Sequence, residues 1–94
     1  MPVRRIALDV DKVIDQPEVL DLALAVEKVP GVEAVNITVT DIDVETVGMD
    51  VTVEGNDIDV PALMRAIEKV GAVCHSVDQV VVGERVIERV VRSR

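Results

Sequence analysis

Three acidic side chains, Asp41, Asp43 and Glu45, stand two residues apart along one stretch of the chain. In an extended segment alternate residues share a side. Three carboxylates on one side could hold a hard cation such as Ca²⁺ or Mg²⁺. An EF-hand loop would need glycine five residues after Asp41 and an acid eleven after it. Thr46 and Thr52 occupy those places, which excludes that loop. Asn56, Asp57 and Asp59 form a second acidic turn, which also reads as a solvated turn and a helix cap. The soft ligands are one pair, Cys74 and His75. Strand neighbours face apart, so the two cannot readily share a metal within one chain. Cys74 reads as a small core residue. His75 is the better functional candidate, because Ser76 and Asp78 are near enough in sequence to fix its tautomer.

Enzyme signatures are missing. The chain has no Gly-x-Gly-x-x-Gly, P-loop, Gly-x-Ser-x-Gly or His-Glu-x-x-His motif. Ser76 beside His75 makes no triad, and Lys12–Pro17 holds neither the Cys-x-x-Cys of a heavy-metal chaperone nor a Gly-rich phosphate loop. The expectation is a non-enzymatic protein with no resident cofactor, Ca²⁺ or Mg²⁺ apart.

These residues must be positioned by a small domain. The chain has 94 residues and a net charge of −8. The acidity argues against a nucleic-acid partner, since a phosphate backbone needs a basic face. The absence of Phe, Tyr and Trp also removes the stacking platforms of single-strand readers. No apolar run is long enough for a membrane span, and a single cysteine cannot form an intrachain disulfide. A cytoplasmic protein is expected. Arg (7) outnumbers Lys (3), and Val alone counts 23. Acid excess with scarce lysine fits a salt-accumulating archaeon, whose proteins stay soluble through a strongly negative surface.

Ile6, Leu8 and Val10 alternate with polar residues and predict a first strand. Asp15-Gln-Pro-Glu18 reads as a capping box opening a helix near 16–29, whose face is Val19, Leu22, Ala23 and Val26. Val32–Val39 and Val47–Val53 predict two strands joined by a hairpin over 41–46. Asp59 and Pro61 open a second helix near 60–70, buried through Leu63, Ile67 and Val70. Val73–Val82 predicts a fourth strand. Ala25-Val-Glu-Lys-Val29 repeats as Ala66-Ile-Glu-Lys-Val70. The order β-α-β-β-α-β with this repeat predicts an α+β, ferredoxin-like split βαβ domain over 1–83. Four antiparallel strands would carry both helices on one face. The other face, with Asp9, Asn36, Thr38, Asp50 and Thr52, would be open to a ligand or partner.

Residues 84–94 form an amphipathic extension, read as a short helix with Val86, Ile87, Val90 and Val91 on one stripe and Glu88 paired with Arg92. Val80, Val81 and Val82 are consecutive, so one side of that strand lacks cover. A homo-oligomer, either a ring or based on a dimer, would supply it.

Several blocks together resemble a small archaeal family, domain of unknown function 211. They are Arg-Arg-Ile-Ala-Leu-Asp-Val at 4–10, Val-Asn-Ile-Thr-Val at 35–39, Asp-Val-Glu-Thr at 43–46, Val-Glu-Gly-Asn-Asp-Ile-Asp at 53–59 and His-Ser-Val-Asp-Gln-Val-Val-Val-Gly at 75–83. The resemblance runs from about Arg4 to Gly83. It implies a ferredoxin-like fold and homo-oligomers, and no established activity. Cys74 stands where the family would place an aliphatic residue. The expected function is therefore a small-molecule- or ion-sensing regulatory domain. The alternative is a structural scaffold oligomer that binds divalent cations through the acidic loops.

Overall fold

A computed structural model describes residues 2–91. The elements run β1 (Val3–Val13), α1 (Val19–Glu27), β2 (Val32–Ile42), β3 (Thr46–Gly55), α2 (Val60–Lys69) and β4 (Val73–Val82). The strands form one antiparallel sheet in the order β2-β3-β1-β4. This is the βαββαβ, ferredoxin-like arrangement that the periodicity predicts.

The alternation of β1 explains the layering. Ile6, Leu8 and Val10 pair in register with Val53, Val51 and Met49 of the other central strand, and all six are buried. Leu22 and Val26 of α1 and Leu63 and Ile67 of α2 close over them. Burying each such side chain contributes about 1.5–3 kcal/mol, which lets a core without aromatics hold the fold. The opposite face carries Arg5, Ala7, Asp9 and Asp11 of β1 against Glu54, Thr52, Asp50 and Gly48 of β3.

The second helix begins as its sequence dictates. Asp59 accepts a hydrogen bond from the Ala62 amide at 3.1 Å, and Pro61 occupies the first turn. The first helix does not begin as the capping-box reading predicts. It starts at Val19, with Glu18 at the cap and no side-chain cap bond. Pro17, after a cis peptide bond, lies buried in the connection before it. Asp15 is thus several residues too early to reach the first turn. Gly31 and Gly71 end the two helical segments in the left-handed region, at φ 88° and 97°.

The extension is not the short helix its stripe predicts. Residues 86–91 have no regular structure. The pairing of Glu88 with Arg92 lies outside the described residues, and Glu88 instead meets Arg5 on the open sheet face. An ion pair from Glu88 to Arg5 ties this segment to the sheet, where an isolated helix of this length would be marginal. Among the described residues, no helix is long and apolar enough to cross a membrane.

Candidate functional site

Asp11, Lys12 and His75 lie together at one end of the sheet. Antiparallel register sets Val13 at the end of β1 opposite Thr46 at the start of β3, and Asp11 opposite Val73 at the start of β4. Three chain connections therefore meet there. A cavity of about 310 Å³ lies among Asp11, Lys12, Val13, Thr46, Gly71, Val73 and His75.

His75 owes its position to an irregularity. Asp9 pairs with Ser76 and Val10 with Cys74, so β4 has one residue more than β1 at this point. His75 is that extra residue. Its imidazole Nε2 lies 2.6 Å from Asp11 Oδ2. The sequence-based expectation that Ser76 or Asp78 orients the ring is corrected. The Ser76 hydroxyl donates to Asp78 Oδ1 at 2.7 Å, so these two satisfy each other. Cys74 packs against the core from the other face, as read from the strand pattern. Burial pushes its thiol pKa up, which leaves it a weak nucleophile at neutral pH.

Lys12 continues the core-facing row after Ile6, Leu8 and Val10, and it is only 7% exposed. Its ammonium donates to the carbonyls of Val13 and Ile14 at 3.2 and 3.4 Å. No carboxylate pairs with it among the described residues. A buried lysine with only carbonyl partners is uncommon, because removing an ammonium from water is costly. Sequence reading passed over Lys12, although its parity with the core row was a readable signal.

The three acids of the first hairpin are spread out. Asp41 lies on the open face, in register with Gly48. Asp43 accepts the amide of Val44 at 2.7 Å within the turn, and its own amide donates to Thr46 O at 2.8 Å. Glu45 is exposed on the same turn. Among the described residues, no three His, Cys, Asp or Glu side chains converge as a metal-binding group. Asn36, on the open face, accepts a hydrogen bond from the Thr38 hydroxyl at 2.9 Å.

Arginine organises the far end of the open face. Arg5 Nε donates to Glu54 at 2.8 Å, and its two terminal nitrogens hold Glu88 at 2.8 and 2.9 Å. That fork lowers the Glu88 carboxyl below its usual range and raises the guanidinium. Arg4 Nε donates to the Gly83 carbonyl at 2.7 Å, which fixes where the extension leaves β4.

Residues 4–94 match the family model of domain of unknown function 211, described as an uncharacterized ArCR. The chain is also 42% identical over 88 residues to an uncharacterized protein of Methanocaldococcus jannaschii. The alignment covers 94% of this chain and 90% of that protein.

Proposed function

Because the chain belongs to the family of domain of unknown function 211, whose description carries no activity, we propose a role from the site alone: a non-enzymatic, cytoplasmic domain that binds a small molecule as a homo-oligomer and so acts as a sensor. The observation that carries this reading is the sheet-end cavity. It is lined by the hydrogen-bonded His75–Asp11 couple and by Lys12, which has no carboxylate partner among the described residues, within mostly apolar walls. Concave sites with a few fixed polar groups are the usual form of ligand pockets. No nucleophile stands beside a base here, so binding without turnover fits better than catalysis.

Isothermal titration with amino acids, nucleotides and Ca²⁺ tests the proposal. An organic ligand should give saturable heat that Val73→Trp, at the cavity wall, abolishes. Saturable heat from Ca²⁺ alone, weakened by Asp43→Asn, would favour the cation-binding scaffold instead. The spread of Asp41, Asp43 and Glu45 argues for the first outcome.

The halophilic reading has a specific site in this fold. Asp9 faces Asp50 directly across the two central strands. Like charges opposite one another destabilise a sheet, and salt screens them. With the net charge of −8, melting temperature should rise from low to molar KCl. Asp50→Asn should raise it at low salt and flatten the dependence. A flat or falling profile for the wild type would remove the halophilic reading.

A further inference from the structure

Both edges of the sheet carry apolar side chains that the helices leave uncovered. The edge strands are β2 and β4. On β4, Val80 pairs with Ile6 and Val77 with Leu8, so both point to the helix side, and Val82 shares that side with Val80 by alternation. All three are about half exposed. On β2, Val35, Ile37, Val39 and Ile42 pair with the buried Val53, Val51, Met49 and Val47, so this row also points to the helix side. Val39 and Ile42 are exposed. Edge strands also present unpaired backbone donors and acceptors. Extra residues interrupt β2 at Glu33 and Thr40 and β4 at His75 and Asp78. The stretches without an extra residue, Ala34–Val39 and Gln79–Val82, lie level with each other: Val80, Ile6, Val53 and Val35 form one row across the sheet.

Charge distinguishes the two edges. Residues 1–72 hold fifteen acids against six basic residues, whereas residues 73–94 hold four arginines against three acids. β2 carries Glu33 and Asp41, with Asp43 and Glu45 just beyond it. β4 carries one acid, Asp78, and Arg89 lines the groove beside Val80 and Val82. Like charges set opposite one another destabilise a sheet. A two-fold pair of β2 strands would set acids beside acids. A two-fold pair of β4 strands would bring the arginine-bearing extensions together and leave Val39 and Ile42 uncovered. β4 of one copy beside β2 of the next brings opposite charges together and covers both rows. The two edge strands run in opposite directions, so a neighbour of the same orientation continues the antiparallel sheet.

We infer, within the homo-oligomer reading on which this rests, that copies of the chain join head to tail by strand addition: Gln79–Val82 of one copy pairs with Ala34–Val39 of the next. Without a shift of register Val80 lies beside Val35 of the neighbouring copy, and the apolar row on the helix side runs on across the joint. Val82 then lies beside Glu33 of the neighbouring copy, on the side where Arg89 can meet that carboxylate. Repeating a head-to-tail step closes a ring where the rotation allows, and closure leaves no strand edge free.

Two lysine variants of the full chain separate the edges. Val80→Lys blocks β4 and Val39→Lys blocks β2, each at a solvent-open edge position, where lysine is a natural guard against pairing. Each alone should sediment with the mass of one chain. Mixed, they should regain a single joint, β4 of the Val39→Lys copy on β2 of the Val80→Lys copy, and sediment with the mass of two chains. ¹⁵N-labelled Val80→Lys should show saturable shifts over Ala34–Val39 on adding unlabelled Val39→Lys, and none on adding unlabelled Val80→Lys. Recovery on mixing also shows that both variants are folded. Val82→Lys, about equally exposed, replaces Val80→Lys if the latter loses its amide dispersion. Assembly lost in Val80→Lys but intact in Val39→Lys would overturn the inference in favour of a two-fold β4 pair. Wild-type mass in both variants, or two folded monomers that do not combine, would also overturn it and leave the homo-oligomer reading standing. A wild type that sediments as one chain removes both.

Discussion

Replacing Gly55 with alanine is expected to cost about 3 kcal/mol, the upper end for forcing atoms into a packed region. For a chain of this length that lowers the melting temperature by roughly 12 to 24 °C. A methyl group on Gly55 would lie 1.9 Å from the Gly31 carbonyl oxygen, 2.9 Å from its carbon and 3.0 Å from the Val32 Cα. All three are backbone atoms, so no side chain can swing away. The two segments cannot simply separate, because Asn56 N donates to Gly31 O at 2.8 Å and Val32 pairs with Gly55 at the end of the β2–β3 ladder. Gly31 is itself held at φ 88°, and the Asp59 amide donates to Pro30 O at 3.0 Å. The clash would therefore pull on the turn that leads into α2 as well. Gly48 is the control. A methyl there would meet Asp11 Oδ1 at 3.5 Å and the Asp41 Cβ at 3.6 Å, both ordinary contacts. Gly48→Ala should fall within about 0.5 kcal/mol of the wild type, as exposed changes usually do. Denaturant melts of both variants decide the matter. Equal losses would mean that the close crossing of Gly31 and Gly55 carries no special weight.

The contrast between the two glycines shows what kind of information the sequence holds. Gly55 reads as a turn glycine from Gly-Asn-Asp, but nothing local says that Gly31 will lie against it. That contact exists only once β2 has paired with β3. The layers were legible for the opposite reason. Alternation in β1 and β3, the Asp59 cap and the hairpin over 41–46 are local patterns, and each fixes a face or an end by itself. The start of α1 was misread because Asp15-Gln-Pro-Glu18 satisfies the spacing of a capping box while Pro17 turns the chain before the helix. The site was less legible than the fold. A strict period of two assigns His75 a face but is silent about an extra residue in β4, and that residue is what brings the imidazole to Asp11. Lys12 could have been found by asking why a lysine holds the fourth place in a core-facing row. The extension carried an apolar stripe with helical spacing, yet Arg5, 83 residues away from Glu88, decided its path.

That path leads to the second large effect. Deleting residues 84–94 should lower the mass of the assembled protein, as should changing Val86 and Val90 together to aspartate. Val81 pairs with Arg5 and so faces the open side of the sheet, yet it is only 5% exposed. Ile87 of the extension and Val81 line one groove. The same segment leaves its own apolar side chains outside, with Ile87 at 68% and Val91 at 81% exposure. Val80 and Val82 on β4, an edge strand, are also about half exposed. An edge strand flanked by uncovered valine and isoleucine is a ready surface for a second copy, and burying it gains more than a core without aromatics can spare. The Arg5–Glu88 fork ties this segment to the sheet, so an assembly built on this surface is expected to carry a pH dependence of definite sign. Pairing holds the Glu88 carboxyl below its ordinary value. Its contribution is therefore complete above the ordinary carboxylate range and is lost as pH falls through the lowered value. Assembly should be intact at neutral pH and weaken on acidification, and Glu88→Gln should weaken it at neutral pH. Light scattering at micromolar protein reads all of these. A monomeric wild type refutes assembly, and an oligomer of unchanged mass after truncation moves the interface to the outer stripe of α1, where Leu20 and Leu24 stand exposed one turn apart.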